Sequence, residues 1–197
     1  MNIKIGCVIM AAGNSDRYGK DNKLLEPFNE TTVIEQVLDN IPFEELETCI
    51  LVTNNKKIIE IAEKRDIKVL INDRPKLGLG RTVKIGLKEL NIGFEGYIFI
   101  VCDQPLLTKE SIVGLINFWR KEPDKIASLG LGKRIGNPVI FPPSMYDDLL
   151  SIDDSEHGRV VMHNHKDLVR IYNVQDPYEL MDIDNQDDLI ELKKHIK

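Results

Sequence analysis

Short apolar runs alternate with amphipathic stretches along most of the chain. Residues 3–10 are almost continuously apolar, which predicts a mostly buried strand. Residues 32–38 carry apolar side chains at helical spacing, and Pro42 closes that helix. Further strands are predicted at 49–52, 68–71 and 97–101. Helices are predicted at 58–63, 81–90 and 111–121. Strands and helices alternating at this spacing form right-handed βαβ units, so the expected core is a mostly parallel sheet covered on both faces. The pattern loosens after Pro123. Residues 126–131, 139–141 and 168–172 read as short strands, the first two joined by a turn-rich link at 132–136, and 187–195 as a terminal helix. No repeat, low-complexity tract or linker interrupts the chain, so one α/β domain spanning 1–197 is expected.

Composition narrows the function classes. Of 197 residues, 42% are hydrophobic, too many for a disordered chain and enough for a real core. No apolar run approaches the ~20 residues that span a bilayer. Residues 1–10 hold one lysine and no small-residue cleavage site, so they do not read as a signal peptide. The net charge of -6, with no basic patch, argues against nucleic-acid binding but not against small phosphorylated ligands. Cys7, Cys49 and Cys102 form no CxxC pair, as expected of reduced thiols in a cytoplasmic protein.

Open α/β sheets bind ligands beyond the carboxyl ends of their strands, so the loops leaving those ends are where chemistry is expected. After the first strand comes Met10-Ala11-Ala12-Gly13-Asn14-Ser15-Asp16-Arg17-Tyr18-Gly19-Lys20-Asp21-Asn22-Lys23. Small residues admit a ligand close to the backbone, whose N–H groups can cradle phosphate. Arg17 and Lys23 would neutralise polyphosphate charge. The loop is neither a Walker A motif nor a dinucleotide GxGxxG; the plainer alternative is a glycine turn with surface cations. After the 97–101 strand, Cys102-Asp103-Gln104-Pro105 places one carboxylate where a Mg2+ ligand would meet a nucleotide in the first loop. Asp103 could otherwise cap the next helix, although Thr108 is the better cap. Near the end, Asp182 and Asp184 alternate onto one side of an extended segment, as further metal ligands or as caps of the last helix. His157, His163 and His165 offer a weaker Zn2+ alternative; solvated surface histidines are the plainer reading.

Taken in order, these segments resemble the nucleotidyltransferases of the molybdenum cofactor group, and most closely the molybdenum cofactor cytidylyltransferases. That family carries LAAGxSxRxG followed by Lys-Leu-Leu, here residues 10–19 and Lys23-Leu24-Leu25. It also carries a CDQP or GDQP loop (102–105), a GxPxxF segment (Gly136-Asn137-Pro138-Val139-Ile140-Phe141) and a DIDTPED ending (182–188). The resemblance covers nearly the whole chain. It implies a three-layer α/β sandwich of the nucleotide-diphospho-sugar transferase (Rossmann-like) type with a mostly parallel mixed sheet. It implies that Ala11, Ala12 and Gly13 line the nucleotide, that Arg17 and Lys23 hold its triphosphate, and that Asp103 binds Mg2+ with Asp184 or Asp182. Gly78 and Thr82 resemble a GxxxS segment near the base, with Thr82 in place of its serine. Gln104, Asn137, Pro138 and Arg159 fall where the family meets its acceptor. The chain departs from the family in three further places. Three residues, not two, separate Gly19 from Lys23, which makes Lys20 a second candidate for the triphosphate. Asn137 replaces a histidine, and Asn185-Gln186 replaces Thr-Pro.

The implied reaction transfers CMP from CTP to the terminal phosphate of molybdenum-bound molybdopterin and releases pyrophosphate, with a molybdenum hydroxylase as the eventual recipient. Ala12 favours CTP, since guanosine-using members more often show LAGG. The alternatives are a related transferase using GTP or another phosphorylated acceptor, and a cofactor carrier without chemistry.

Overall fold

The computed structural model describes residues 3–13, 18 and 22–196. Its main sheet has seven strands in the order β5-β4-β1-β6-β8-β7-β9: Lys68–Ile71, Thr48–Thr53, Ile5–Met10, Gly96–Val101, Arg134–Phe141, Ile126–Leu131 and Val169–Asn173. All pairs are parallel except β6·β8 and β8·β7. The expected mostly parallel mixed sheet is therefore present, with its antiparallel section where the sequence pattern loosens. A small hairpin of β2 (Pro27–Phe28) and β3 (Thr31–Thr32) stands apart from it.

The central parallel strands β1, β4 and β6 are largely buried on both faces because helices cover both, whereas the edge strands β5 and β9 stay partly exposed. In β1, Ile5, Cys7 and Ile9 enter one core and Val8 the other. The first core receives α1 (Val33–Asp39), α2 (Lys56–Glu63), α4 (Lys109–Trp119) and α7 (Gln186–Lys193). The second receives α3 (Leu79–Leu90), α5 (Tyr146–Ser151) and α6 (Arg159–Asn164). The result is three layers, matching the nucleotide-diphospho-sugar transferase fold. Helix starts are set by side-chain caps: Thr32 and Asn185 each close a capping box, and Thr108 caps α4 by accepting from Ser111 N.

The strand order fixes where a ligand can go. From β1 the chain moves to β4 and β5 on one side, then crosses to β6 on the other. The order in which strands are added reverses between the parallel β1 and β6, and at such a switch the departing loops part and leave a crevice. The two loops singled out by chemistry, 11–22 and 102–105, leave those two strands.

The second sheet half corrects one sequence expectation. The link between β7 and β8 is only Gly132-Lys133, not 132–136, and Gly136, Asn137 and Pro138 belong to β8. Gly132 supplies the left-handed turn at φ 61. Pro138 has no N–H for the ladder. The β7·β8 register shifts between Ser128 and Gly130, and Ser128 Oγ donates to Gly136 O at 2.9 Å there.

Close approach of α3 to β1 depends on Gly86. A Cβ there would overlap the branched carbons of Val8. Gly86→Ala should lower unfolding stability by about 1–3 kcal/mol in chemical denaturation, despite its better helix propensity. Adding Val8→Ala should recover part of that loss; fully additive losses would contradict the close-packing explanation.

Candidate active-site cleft

Lys23 opens a single capped turn, Lys23–Leu25, whose start is fixed by Leu24 N donating to Asn22 Oδ1 at 3.0 Å. Leu24 is buried and anchors the turn in the first core. The Lys23 ammonium thereby crosses to the neighbouring strand end. It donates to Asp103 Oδ2 at 2.7 Å and to Ile183 O at 2.6 Å, and lies 3.7 Å from Asp184 Oδ1. Ile183 N donates to Asp103 O at 2.9 Å, pinning the 182–184 segment beside the end of β6. One ammonium thus joins three segments that are distant in sequence.

This corner opens into a cleft of about 430 Å³ lined by Asp103, Asp182, Asp184, Gly136, Asn137, His157, Gly158 and Arg159 over an apolar floor that includes Met10, Val83, Phe99 and Val139. Both acidic segments and the GxPxxF and Gly-Arg segments meet here. Arg159 Nη2 reaches Ile135 O at 3.4 Å, which ties the α6 start to β8. Among the described lining residues three carboxylates face the guanidinium of Arg159, with Lys23 behind them. A divalent cation there would offset the carboxylates toward a polyphosphate.

The donor chemistry fits such an ion. Asp103, Asp184 and the Ile183 carbonyl already surround a cationic nitrogen with hard oxygens, the set that Mg2+ or Mn2+ takes. Among the described residues no three His, Cys, Asp or Glu side chains form a complete metal cage. An ion here would complete its shell with water and substrate phosphate.

Several expected contacts take a different form. Ala11 is buried, and its backbone is spent: its N–H donates to Val52 O at 2.9 Å and its carbonyl accepts from Thr53 Oγ1 at 2.9 Å. It therefore has no N–H to offer a phosphate. Ala12 is also buried, whereas Gly13 is exposed and a Cβ there would meet nothing within 4 Å. Thr82 is 2% exposed and its hydroxyl accepts from buried Asn72 Nδ2 at 3.0 Å, so it sits behind the cleft while Leu79 and Val83 line it. Gly78 takes φ 121 at the start of α3, outside the lining. Gln104 is buried and reaches the cleft through Asp182, donating Nε2 to Oδ1 at 2.8 Å. Pro138 is buried within β8 behind Asn137. Arg17 and Lys20 lie outside the described residues.

At the acidic ending the capping role falls to Asn185 and Asp188: Asp188 accepts from Asp184 N and Asn185 N at the start of α7, while Asp182 and Asp184 line the cleft. The histidines are dispersed. His165 pairs with Asp148 at 2.7 Å, His195 stacks on Tyr178, His163 is exposed, and His157 is exposed at the border of the cleft. Burial pushes the Cys7 and Cys102 thiols up, reinforced by Cys49 and Asp103 respectively, so neither supplies a thiolate. Cys49 is half-buried and all three are free.

Sequence reading missed Thr53 and Asn72, both fully buried, at the ends of β4 and β5. Thr53 holds Ala11, and Asn72 N donates to Thr53 O at 3.0 Å. The rule applied to the first strand and to β6, that chemistry gathers past strand ends, would have found both.

The description "MobA-like NTP transferase domain" belongs to a family model that matches residues 7–169. A probable molybdenum cofactor guanylyltransferase from Rhodopirellula baltica is 26% identical over 163 residues, which are 76% of this chain and 74% of that protein. A nucleotidyl transferase from Methanothermobacter superposes with a TM-score of 0.81 at 22% identity, covering 98% of this chain and 97% of the other. A Mycobacterium tuberculosis H37Rv protein solved with manganese superposes at 0.77 and 20% identity, covering 98% and 100%. At these identities the solved structures speak for the fold. Among the described residues no helix is long and apolar enough to cross a membrane.

The Asp182 carboxyl is held above the usual carboxylate range by burial first and the Asp103 charge second, against the Gln104 hydrogen bond. A raised carboxyl binds its proton more tightly in the folded state, so its stability contribution is lost as pH rises through that raised value. Asp182→Asn should therefore be more stable than the parent at pH 7, by under about 1 kcal/mol at this solvent-screened position. The gain should vanish below about pH 4, where both forms are neutral. Denaturation at both pH values checks this; a gain that grows on acidification would contradict it.

Proposed function

The chain belongs to the MobA-like NTP transferase family, and from that premise we propose that it transfers CMP from CTP to the terminal phosphate of molybdenum-bound molybdopterin. The class of the enzyme is that of a nucleotidyltransferase. The observation that carries the finer reading is the Lys23–Asp103–Asp184 corner, opening into a cleft whose far wall holds Asn137 and Arg159.

The acceptor phosphate is already an anion, so its attack on the α-phosphorus needs no general base. A new phosphorus–oxygen bond forms as the bond to the β-phosphate oxygen breaks, and pyrophosphate leaves with the electron pair. What the protein must do is bring two anions together and neutralise the charge that accumulates. Lys23 would exchange its carboxylate partners for phosphate oxygens. Asp103, with Asp184 or Asp182, would hold Mg2+, which neutralises polyphosphate charge and polarises the breaking bond. Gly13 leaves room for close backbone approach, and Arg17 adds charge to the same loop. On the acceptor side Asn137 offers amide hydrogen bonds and Arg159 a guanidinium suited to phosphate. Gln104 acts on this wall through Asp182, while Gly78 and Thr82 shape the nucleotide side from behind Leu79. In the cytoplasm, a molybdenum hydroxylase would consume the product.

A second reading uses GTP, favoured by the guanylyl activity named for the Rhodopirellula baltica relative. Pyrophosphate release with each nucleoside triphosphate, with and without molybdenum-loaded molybdopterin, separates the readings. Release only with CTP and cofactor is expected. GTP-dependent release would replace CTP, and cofactor binding with no release would identify a carrier. Asp103→Ala and Lys23→Ala should each lower turnover by at least about a hundredfold while remaining folded.

A further inference from the structure

The acceptor wall of the cleft is carried by a loop that has no β-ladder of its own. Residues 152–158 join α5 to α6 and deliver His157, Gly158 and Arg159 to the lining. That loop is fastened to the start of α3, the element that supplies Leu79 and Val83 to the same cleft. Lys84 Nζ donates to Ile152 O at 2.9 Å and lies 2.5 Å from Asp154 Oδ1. Arg81 N donates to Asp154 O at 3.4 Å, and Arg81 Nη1 lies 3.8 Å from Asp154 Oδ2. The contact is close enough to demand glycine twice. A Cβ at Gly78 would come within 2.5 Å of Asp154 O, and one at Gly80 would overlap Asp153 O. Glu156 closes the loop by accepting from Asp153 N at 2.8 Å.

Arg81 also faces the opposite way. Its Nε donates to Asn72 Oδ1 at 3.2 Å and its Nη2 to Asp73 Oδ1 at 2.6 Å. Asn72 leads through Thr53 to the backbone of Ala11 in the first loop. The fastening therefore sits between the segment expected beside the nucleotide and the wall expected beside the acceptor. Lys84 and Asp154 themselves are absent from the cleft lining.

We propose that Asp154, clasped by Lys84 and Arg81, is a positioning residue that sets the acceptor wall of the cleft at its working distance from α3. This rests on the reading that the His157–Arg159 wall meets the acceptor. Breaking the clasp leaves the phosphate corner in place, because among the described residues no hydrogen bond or ion pair joins Asp154 to Lys23 or Asp103. Its loss weakens acceptor binding and spares nucleotide binding.

The test uses the full-length Asp154→Asn, Lys84→Met and conservative Asp154→Glu proteins. In the ligand-free protein, amide exchange across 153–159 should quicken roughly fivefold in Asp154→Asn and Lys84→Met, with residues 5–10 unchanged, and stay within about twofold of the parent in Asp154→Glu. With CTP and molybdenum-loaded molybdopterin, acceptor KM should rise roughly fivefold in Asp154→Asn and Lys84→Met, while kcat and the CTP Kd from calorimetry stay within about twofold. Unchanged exchange at 153–159 overturns the proposal even if the parent protein shows no transfer to molybdopterin. So does faster exchange spread over the whole sheet, or a CTP Kd that moves as far as the acceptor KM. If the parent shows no transfer to that acceptor, the substrate assignment falls and the exchange result alone decides the clasp.

Discussion

The Lys23 ammonium is the contact on which the arrangement of the cleft depends. It is held by a capped turn after β1, by the carboxylate just past β6, and by a backbone carbonyl close to the C-terminus. These three segments are separated by 80 and 160 residues in sequence. The parallel strands β1 and β6 bring their ends side by side, but only a charged side chain of lysine's length can reach from one loop to the other. The lysine side chain is mostly buried, at 13% exposure. A charge in that setting needs compensation, and it obtains it from oxygens that are also fit to hold a metal. Such an ion pair suits exchange of partners more than rigid cohesion, since the desolvation cost of two charges offsets much of their attraction.

The rest of the cleft is organised around keeping two walls apart at a fixed distance. One wall comes from the parallel half of the sheet and from α3. The other comes from the antiparallel section, where β8 carries Asn137, and from the α5–α6 loop. The reversal of strand direction at β8 sets the start of that strand at the carboxyl end of β6, since Phe99 pairs with Val139 and Asn137 lies two residues further toward that end. A wholly parallel sheet would have placed the opposite end of that strand there. The apolar floor of Met10, Phe99 and Val139 gives the cleft shape without adding polar competition.

Much of this was legible in the sequence, for physical reasons that differ by segment. Residues 68–71, at the sheet edge, and 126–131, in its interior, were readable to the residue because each is a short apolar run bounded by turn residues. That Asp103 would stand at a strand end was readable because it follows the apolar β6 within two residues, whereas its meeting with Lys23 and Asp184 was implied only by the ordered motifs. Helices α5 and α6 were not legible: each has six residues, fewer than two turns, too short for a helical period to emerge. The strand character of Gly136-Asn137-Pro138 was hidden by residues that ordinarily mark turns. The bonds that Ala11 and Thr82 make to Val52, Thr53 and Asn72 were not legible, because their partners lie at the ends of other elements. Asn72 and Asp154 share that difficulty.

The proposed direct displacement would make no protein group a covalent partner of the nucleotide. The described thiols are buried or distant from the cleft, and Lys23 is engaged by carboxylates as a cation. The most direct measurement is the stereochemical course at the α-phosphorus, followed with a chiral α-thio analogue of the nucleotide that supports turnover. A single attack by the acceptor phosphate predicts inversion of configuration. Retention would require a nucleotidylated protein intermediate and would contradict the assignment of the cleft as a site of positioning and charge neutralisation alone.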